Sequence, residues 1–448
     1  MDKIIANPRF LKKLKAIAKK ENRSFQEVQE QAEIYLKELY TERKPFAKLL
    51  GYEVMQKIIG RGYEKTIDVN PEEIKKLAKT MRNHPVAFLI THKTYVDPVV
   101  LVLALARYGM PWPYMFGGIN MSFLGSKQLG KQTGMIFIRR SFKDNEVYKA
   151  TLRHFIASLL DEGAHFNWAI EGTRSRTGKI VWPKMGILKY IMEGEQESNR
   201  EVKYVPVSIV YDLIPDVKAI TEEGKGLKKK PETLAWFLKY AKKMGEKSGR
   251  IAIRFGEPVD AKGQQAAIIP DQEDVNDDGD NFLPRFAFEL VHRINQITPV
   301  TTVSLVCTAL LSNFSLTKKE MEIQVSQLME FIEKRKQDTL LDRSKPIAKS
   351  VQTALNLLLR AGIVQKIQTS LTTQYLISET EYLRANYYSN MAANHFYHRA
   401  FIELALIKVV DDEPKKRSLN FWKEIMSLRD LFKFEFFYTN KGQFSDEI

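Results

Sequence analysis

The 448-residue chain has a single cysteine, Cys307, set in an apolar run. One thiol excludes an internal disulfide and a thiolate-bound metal cluster, and it fits a reducing compartment. No run reaches the ~20 apolar residues of a membrane-spanning helix. The best candidates, Pro98–Ala106 and Thr301–Leu316, are short or broken by Ser and Thr. No signal-peptide pattern opens the chain. The nucleotide-binding loop G-x4-G-K-[ST] is missing too, since Gly178-Lys179 is followed by Ile180. Acidic residues are in deficit: 69 Lys and Arg against 54 Asp and Glu leave a net charge of +15. That excess points to an anionic partner: nucleic acid, an anionic membrane surface or a phosphorylated substrate.

What is present divides the chain into three. Residues 1–80 are helical and charged. Their opening "RFLKKLKAIAKK" places Phe10, Leu11, Leu14, Ile17 and Ala18 at helical spacing, with lysines between them. Such a basic amphipathic helix suits either a membrane surface or a packed helix with a solvated lysine face. Residues 81–315 alternate strands with helices. The apolar runs Val86–Ile90, Met135–Ile138, Phe166–Ile170, Tyr204–Tyr211 and Ile251–Phe255 read as strands. The intervening Val99–Tyr108, Asn145–Glu162, Lys184–Glu193 and Glu232–Lys247 read as helices. The fold class is therefore α/β, with a mixed, largely parallel sheet flanked by helices. Residues 316–448 read as a mainly helical C-terminal domain, with a hairpin at "AGIVQKI" and "TTQYLIS". An acidic loop holds Asp274-x-Asn276-x-Asp278-Gly279, the start of a calcium pattern. Arg285 stands where that pattern needs a bidentate Glu, so it reads as a solvated loop and no metal is expected.

Four stretches carry residues suited to chemistry. In "HKTYVDP", His92 and Asp97 follow an apolar run. Alone the pair reads as a turn with Asp97 capping a helix and Pro98 at its first position. It also reads as a general base and its orienting carboxylate. "GMIFIRR" ends an apolar strand with Arg139 and Arg140, a geometry suited to bidentate phosphate recognition. "EGTRSRTGK" follows another strand with Glu171, Gly172, Arg174, Ser175 and Arg176, and Lys184 comes soon after. Gly, hydroxyls and cations together suit a phosphate. "YVPVSIVYD" is by itself a buried strand.

In this order and spacing the four blocks resemble the glycerolipid acyltransferase family, in its glycerol-3-phosphate and dihydroxyacetone-phosphate branch. There H-[KR]-[ST]-x-x-D is followed by G-x-x-F-I-R-R, by E-G-x-R-S-R-x-G-[KR], and by a V-P-V strand ending near Tyr. The resemblance covers about residues 60–315, with an echo at "YLRANYYSN", where Ser389 stands in place of an expected Arg. It implies transfer of an acyl chain from acyl-CoA or acyl carrier protein to the sn-1 hydroxyl of glycerol 3-phosphate. His92 would be the base and Asp97 its orienter. Arg139 and Arg174, with Ser175, would hold the phosphate. Glu171 would fix an arginine or the glycerol hydroxyl, and Gly172 would give the backbone room. Arg140, Arg176 and Lys184 would be secondary phosphate contacts. The resemblance implies no metal and no cofactor beyond the acyl donor, and a peripheral place on the cytoplasmic side of an anionic membrane.

Other readings stand beside this one. Dihydroxyacetone phosphate or lysophosphatidate could be the acceptor instead. A nucleic-acid-binding protein is suggested by the helix–hairpin order at 347–378, although the expected partners include no nucleic acid. An inactive membrane scaffold is a third class.

Overall fold

In the computed structural model, residues 1–118, 126–139, 144–227, 234–261, 282–341, 344–370 and 372–448 are described. The acidic loop of 274–281 lies outside them. Eight strands build the main sheet: β1 (Asp68–Val69), β2 (Val86–Ile90), β3 (Tyr114–Gly118), β4 (Met135–Ile138), β5 (Phe166–Ala169), β6 (Lys203–Tyr211), β7 (Ile251–Phe255) and β8 (Val259–Asp260). Their order is β1-β7-β6-β2-β5-β3-β4, with β8 beside β6. From β6 to β4 every neighbouring pair is parallel. β7 and β8 run antiparallel to β6. The chain is thus a mixed, largely parallel α/β fold, as its strand–helix alternation predicts.

β2 is wholly buried, and the pleat explains its unbroken apolar sequence. Val86, Phe88 and Ile90 enter one core while Ala87 and Leu89 enter the other. Strands β5 and β6 lie on opposite sides of β2, so the loops that leave them part above its C-terminal end. In open α/β sheets such a parting is where ligands settle.

Among the described residues, two of the three cores cross the three-part division of sequence character, one running from Ile59 to Ala392 and another from Phe10 to Phe437. The third, from Tyr397 to Phe444, lies wholly in the C-terminal segment. The Ile347–Arg360 helix buries Val351, Leu355 and Leu358 in the first of them. The expected hairpin follows as β10 (Gln365–Gln368) and β11 (Thr373–Leu376), and β9 (Leu316–Thr317) pairs with β11. The segment around "KFEFFY" is neither strand nor helix but a run of turns.

The structure decides between the two readings of the N-terminal helix. It spans Pro8–Lys20, capped by the Asn7 side chain. Phe10 and Leu14 are completely buried, and Phe10 stacks on His154 at 4.5 Å. The apolar face that would enter a bilayer is spent against the Phe25–Leu39 and Glu146–Asp161 helices, while Lys13 pairs with Glu197. It is a packed helix with a solvated lysine face. Among the described residues, no helix is long and apolar enough to cross a membrane.

Candidate active site

His92 sits two residues beyond β2, in a loop that Asp97 folds on itself. The Asp97 carboxylate is fully buried. Its Oδ2 accepts the backbone N–H of Lys93 (2.6 Å) and of Thr94 (2.8 Å). Its Oδ1 accepts the hydroxyls of Thr94 (3.0 Å) and Tyr211 (2.5 Å). The sequence pattern predicts that Asp97 caps the helix ahead of it. The helix does begin at Asp97–Pro98, but the carboxylate turns backwards instead. The reason is local: the N–H groups of Lys93 and Thr94 are buried in the turn and need an acceptor.

The third block clasps this loop from the neighbouring strand. Glu171, just past β5, is 1% exposed. Its Oε1 accepts the His92 N–H at 2.7 Å and its Oε2 the Val181 N–H at 3.1 Å. The Ser175 N–H donates to the His92 carbonyl at 2.8 Å. His92 is therefore held by its backbone on both sides. Glu171 fixes neither an arginine nor an open substrate position; it fixes the main chain of His92, the expected base. Ser175 is committed as well, because its hydroxyl donates to the Lys179 carbonyl and accepts the Gly178 N–H. It secures the turn, and the expected phosphate contact is not available to it in this arrangement.

The cations divide into two groups. Arg174 pairs with Asp216 at 2.7 Å and Glu223 at 3.2 Å and stacks 4.1 Å above the Tyr95 ring. Arg139 pairs with Glu38 at 2.7 Å and lies over the rings of Tyr35 and Tyr148. It leaves β4, three strand spacings or about 14 Å from β2, so the structure does not bring it to His92. Arg140 lies outside the described residues. Arg176 and Lys184, expected as secondary contacts, are exposed and form no ion pair or hydrogen bond through their side chains among the described residues. Gly172 adopts φ +66°, and a Cβ there would meet Lys184 Cγ at 2.7 Å. Its hydrogen lets the lysine stem cross the turn.

Further residues join the site that spacing alone did not mark: Lys93, Tyr95 and Asp216, besides the hydroxyl of Tyr211. The "YLRANYYSN" echo, now the Tyr382–Asn390 helix, presses on the same loop. A Cβ on Gly178 would meet the Tyr387 carbonyl at 2.0 Å, and Asn390 donates to the Thr177 carbonyl. Ser389 bonds Thr308 at 2.8 Å. Among the described residues no cluster of His, Cys, Asp and Glu could hold a metal ion.

Known proteins resemble this chain in two stretches. Residues 67–210 match the family described as Acyltransferase, and residues 221–448 match the Glycerol-3-phosphate acyltransferase C-terminal region. The plsB1 protein of Mycobacterium tuberculosis (strain ATCC 25618 / H37Rv), provisionally named an acyltransferase, is 31% identical over 440 residues, which are 97% of this chain and 70% of that one. The chain belongs to the glycerol-3-phosphate acyltransferase family. The Glycerol-3-phosphate acyltransferase of Haemophilus influenzae (strain PittEE) is 29% identical over 276 residues, 60% of this chain and 34% of that protein. The solved 1-acyl-sn-glycerophosphate acyltransferase PlsC of Thermotoga maritima overlaps 54% of this chain and 76% of its own, at 16% identity and a TM-score of 0.30, a likeness too loose to carry an argument. As a member of this family the protein is an O-acyltransferase.

Such an enzyme needs charge placed where the proton moves, and this one buries it. Burial pushes the Asp97 carboxyl up to about 6, against the Tyr211 hydroxyl, the Thr94 and Lys93 N–H groups and the Lys93 charge, which pull it down. Burial likewise raises Glu171, opposed by its two backbone donors and Lys93. It lowers Lys93, opposed by the two carboxylates. Tyr211 is raised far above the ordinary phenol range by burial and by Asp97, so it stays a donor. A carboxyl raised on folding stabilises the fold at low pH, and for Asp97 that contribution is lost as pH rises through about 6. Activity runs the other way, since the ionised form holds the loop. The expected acid limb of kcat/KM lies near 6. Tyr211→Phe deletes a donor that lowers the Asp97 pKa, so its limb moves to higher pH. A Tyr211→Phe profile superimposed on the wild type contradicts this assignment.

Proposed function

We propose that the protein transfers an acyl chain from a thioester to the sn-1 hydroxyl of glycerol 3-phosphate, producing lysophosphatidate and opening phospholipid synthesis. The observation that supports this reading is the clasp between two loops. His92 is gripped by Glu171 and Ser175, and the loop that grips it also carries the uncommitted Arg176 and Lys184. The proposed base and the proposed phosphate-binding pair then sit on two joined loops. A ring nitrogen of His92 takes the acceptor's hydroxyl proton as the oxygen attacks the thioester carbonyl. The carbon–sulfur bond breaks, and the imidazolium returns its proton to the leaving thiolate. The negative Asp97 favours that imidazolium. Arg174 joins the phosphate where the phosphate displaces Asp216 and Glu223. Acyl-CoA or acyl carrier protein supplies the chain, and the route uses neither metal nor cofactor.

A panel of acceptors and donors with purified protein tests this. Glycerol 3-phosphate is expected to outperform dihydroxyacetone phosphate and lysophosphatidate. His92→Ala should lower kcat by about 10²- to 10⁴-fold. Arg176→Gln combined with Lys184→Gln should raise KM for glycerol 3-phosphate at least ~10-fold with kcat nearly unchanged. Full activity in His92→Ala sinks the assignment of the base. A wild type inactive on every acceptor favours the scaffold reading.

The anionic membrane surface calls for a different anchor from the N-terminal helix. We infer that the Pro45–Gly62 helix supplies it. Phe46 is 75% and Leu49 62% exposed, with Leu50 and Val54 on the same side. Exposed Lys44 and Lys57 complement an anionic lipid surface. Phe46→Glu with Leu49→Glu should abolish flotation with anionic vesicles, while Lys12→Gln with Lys15→Gln should leave it largely intact. The reverse pattern returns the anchor to the N-terminal helix.

A further inference from the structure

A second cleft opens on the same edge of the sheet as His92. It begins one residue beyond Tyr211, the side chain that holds Asp97. Asp212 lines it, together with Gly249 and Arg250 at the start of β7, which runs antiparallel to β6 with Tyr211 opposite Ile251. Its volume is about 840 Å³, within the ordinary range for a small-molecule site. β7 lies two strand spacings from β2, about 10 Å.

Charge sets this cleft apart. Arg61, Lys247, Lys349 and Arg360 line it and are exposed. Their side chains make no ion pair or hydrogen bond among the described residues. Two of the three acids that line it are already matched: Asp212 by Arg250, and Asp68 by Arg254. Glu64 is the remaining one. Lys247 and Arg360 also border an adjoining cavity of about 530 Å³, which Arg384 enters. Two helices begin at the cleft. The Ile347–Arg360 helix starts there without a side-chain cap, and Thr302 and Val303 of the Thr302–Leu311 helix, which the Thr301 side chain caps, line it too. The four unpaired cations favour a ligand with several phosphate oxygens.

We propose that this cleft binds the polyphosphorylated, nucleotide end of a small-molecule acyl donor, while the thioester end reaches the His92 loop. This rests on the acyl-transfer reading above and assigns that reaction its donor site. A concave site lined by cations suits a small ligand that enters it better than an acidic carrier protein, which would need a broad convex docking face. The glycerol 3-phosphate contacts at Arg176 and Lys184 belong to another loop and are separate from this cleft.

The test uses the full chain and the Lys349→Glu, Arg360→Glu double variant, with Lys349→Gln as a milder control for folding. Calorimetric titration with coenzyme A, adenosine 3′,5′-bisphosphate and inorganic phosphate reads binding without any turnover. The double variant should lose at least ~10-fold in affinity for the first two ligands, and inorganic phosphate should bind far more weakly than either. Its KM for acyl-CoA should rise by the same factor. The KM for an acyl-pantetheine thioester, which lacks the nucleotide, and for glycerol 3-phosphate should not change. Unchanged coenzyme A affinity in the double variant overturns the inference, and so does an equal loss with both thioesters. Turnover with acyl carrier protein alone, without coenzyme A binding, overturns it too. A wild type that binds coenzyme A in this cleft yet transfers no acyl chain defeats the acyl-transfer reading and leaves the cleft assignment standing.

Discussion

The Glu171 carboxylate holds two loops at once. One oxygen takes the His92 N–H and the other takes the Val181 N–H, in a place 1% open to water. A buried carboxylate is costly unless its oxygens are matched by donors. Here the donors are backbone groups that would themselves be orphaned without it. The grip is therefore mutual, and removing either side leaves the other unsatisfied. Asp97 repeats the device one loop away, with Lys93 and Thr94 N–H groups and two hydroxyls. Lys93 lies buried beside both carboxylates and offsets part of their charge, with its ammonium on the Ile209 carbonyl at 3.1 Å.

From that constraint follows the division of labour among the cations. Those nearest the packed elements, Arg139 and Arg174, are taken by carboxylates and aromatic rings, and they tie helices to the sheet edge. Those on the outer turn, Arg176 and Lys184, remain uncommitted. The helices from Thr302 to Asn390 share a core with the sheet, while the last ones, from Tyr397 on, have a core of their own. The first group closes the back of the third block through Tyr387 and Asn390, and Trp182 donates to the Phe434 carbonyl from the same loop. The His92 and Glu171 loops are thus backed by packed helices.

Much of this was legible in the sequence. β2, β4 and β7 run as their apolar stretches indicate, because strands buried on both faces leave an unbroken signal. β3 was not marked: Pro111 and Pro113 precede it, two glycines end it, and it is only half-buried. The N-terminal helix was marked as a helix, but its lysine pattern fits a membrane face and a solvated face equally, and only packing separates the two. His92, Asp97 and the third block could be picked out by order and spacing. What they bond to could not. Asp216 and Glu223 meet Arg174 from 42 and 49 positions away, and no local pattern encodes such a partner. Asp97 followed the helix-start pattern yet turned back to the loop, because the buried N–H groups behind it had no other acceptor.

The central claim is that the clasped loops set His92 against a phosphorylated acceptor. The most direct measurement is a crystal structure with glycerol 3-phosphate bound. The account predicts the acceptor's sn-1 hydroxyl within hydrogen-bond reach of a His92 ring nitrogen, the phosphate on Arg176 and Lys184, and Glu171 still on the His92 N–H. A phosphate bound elsewhere, with His92 turned away from the hydroxyl, contradicts it.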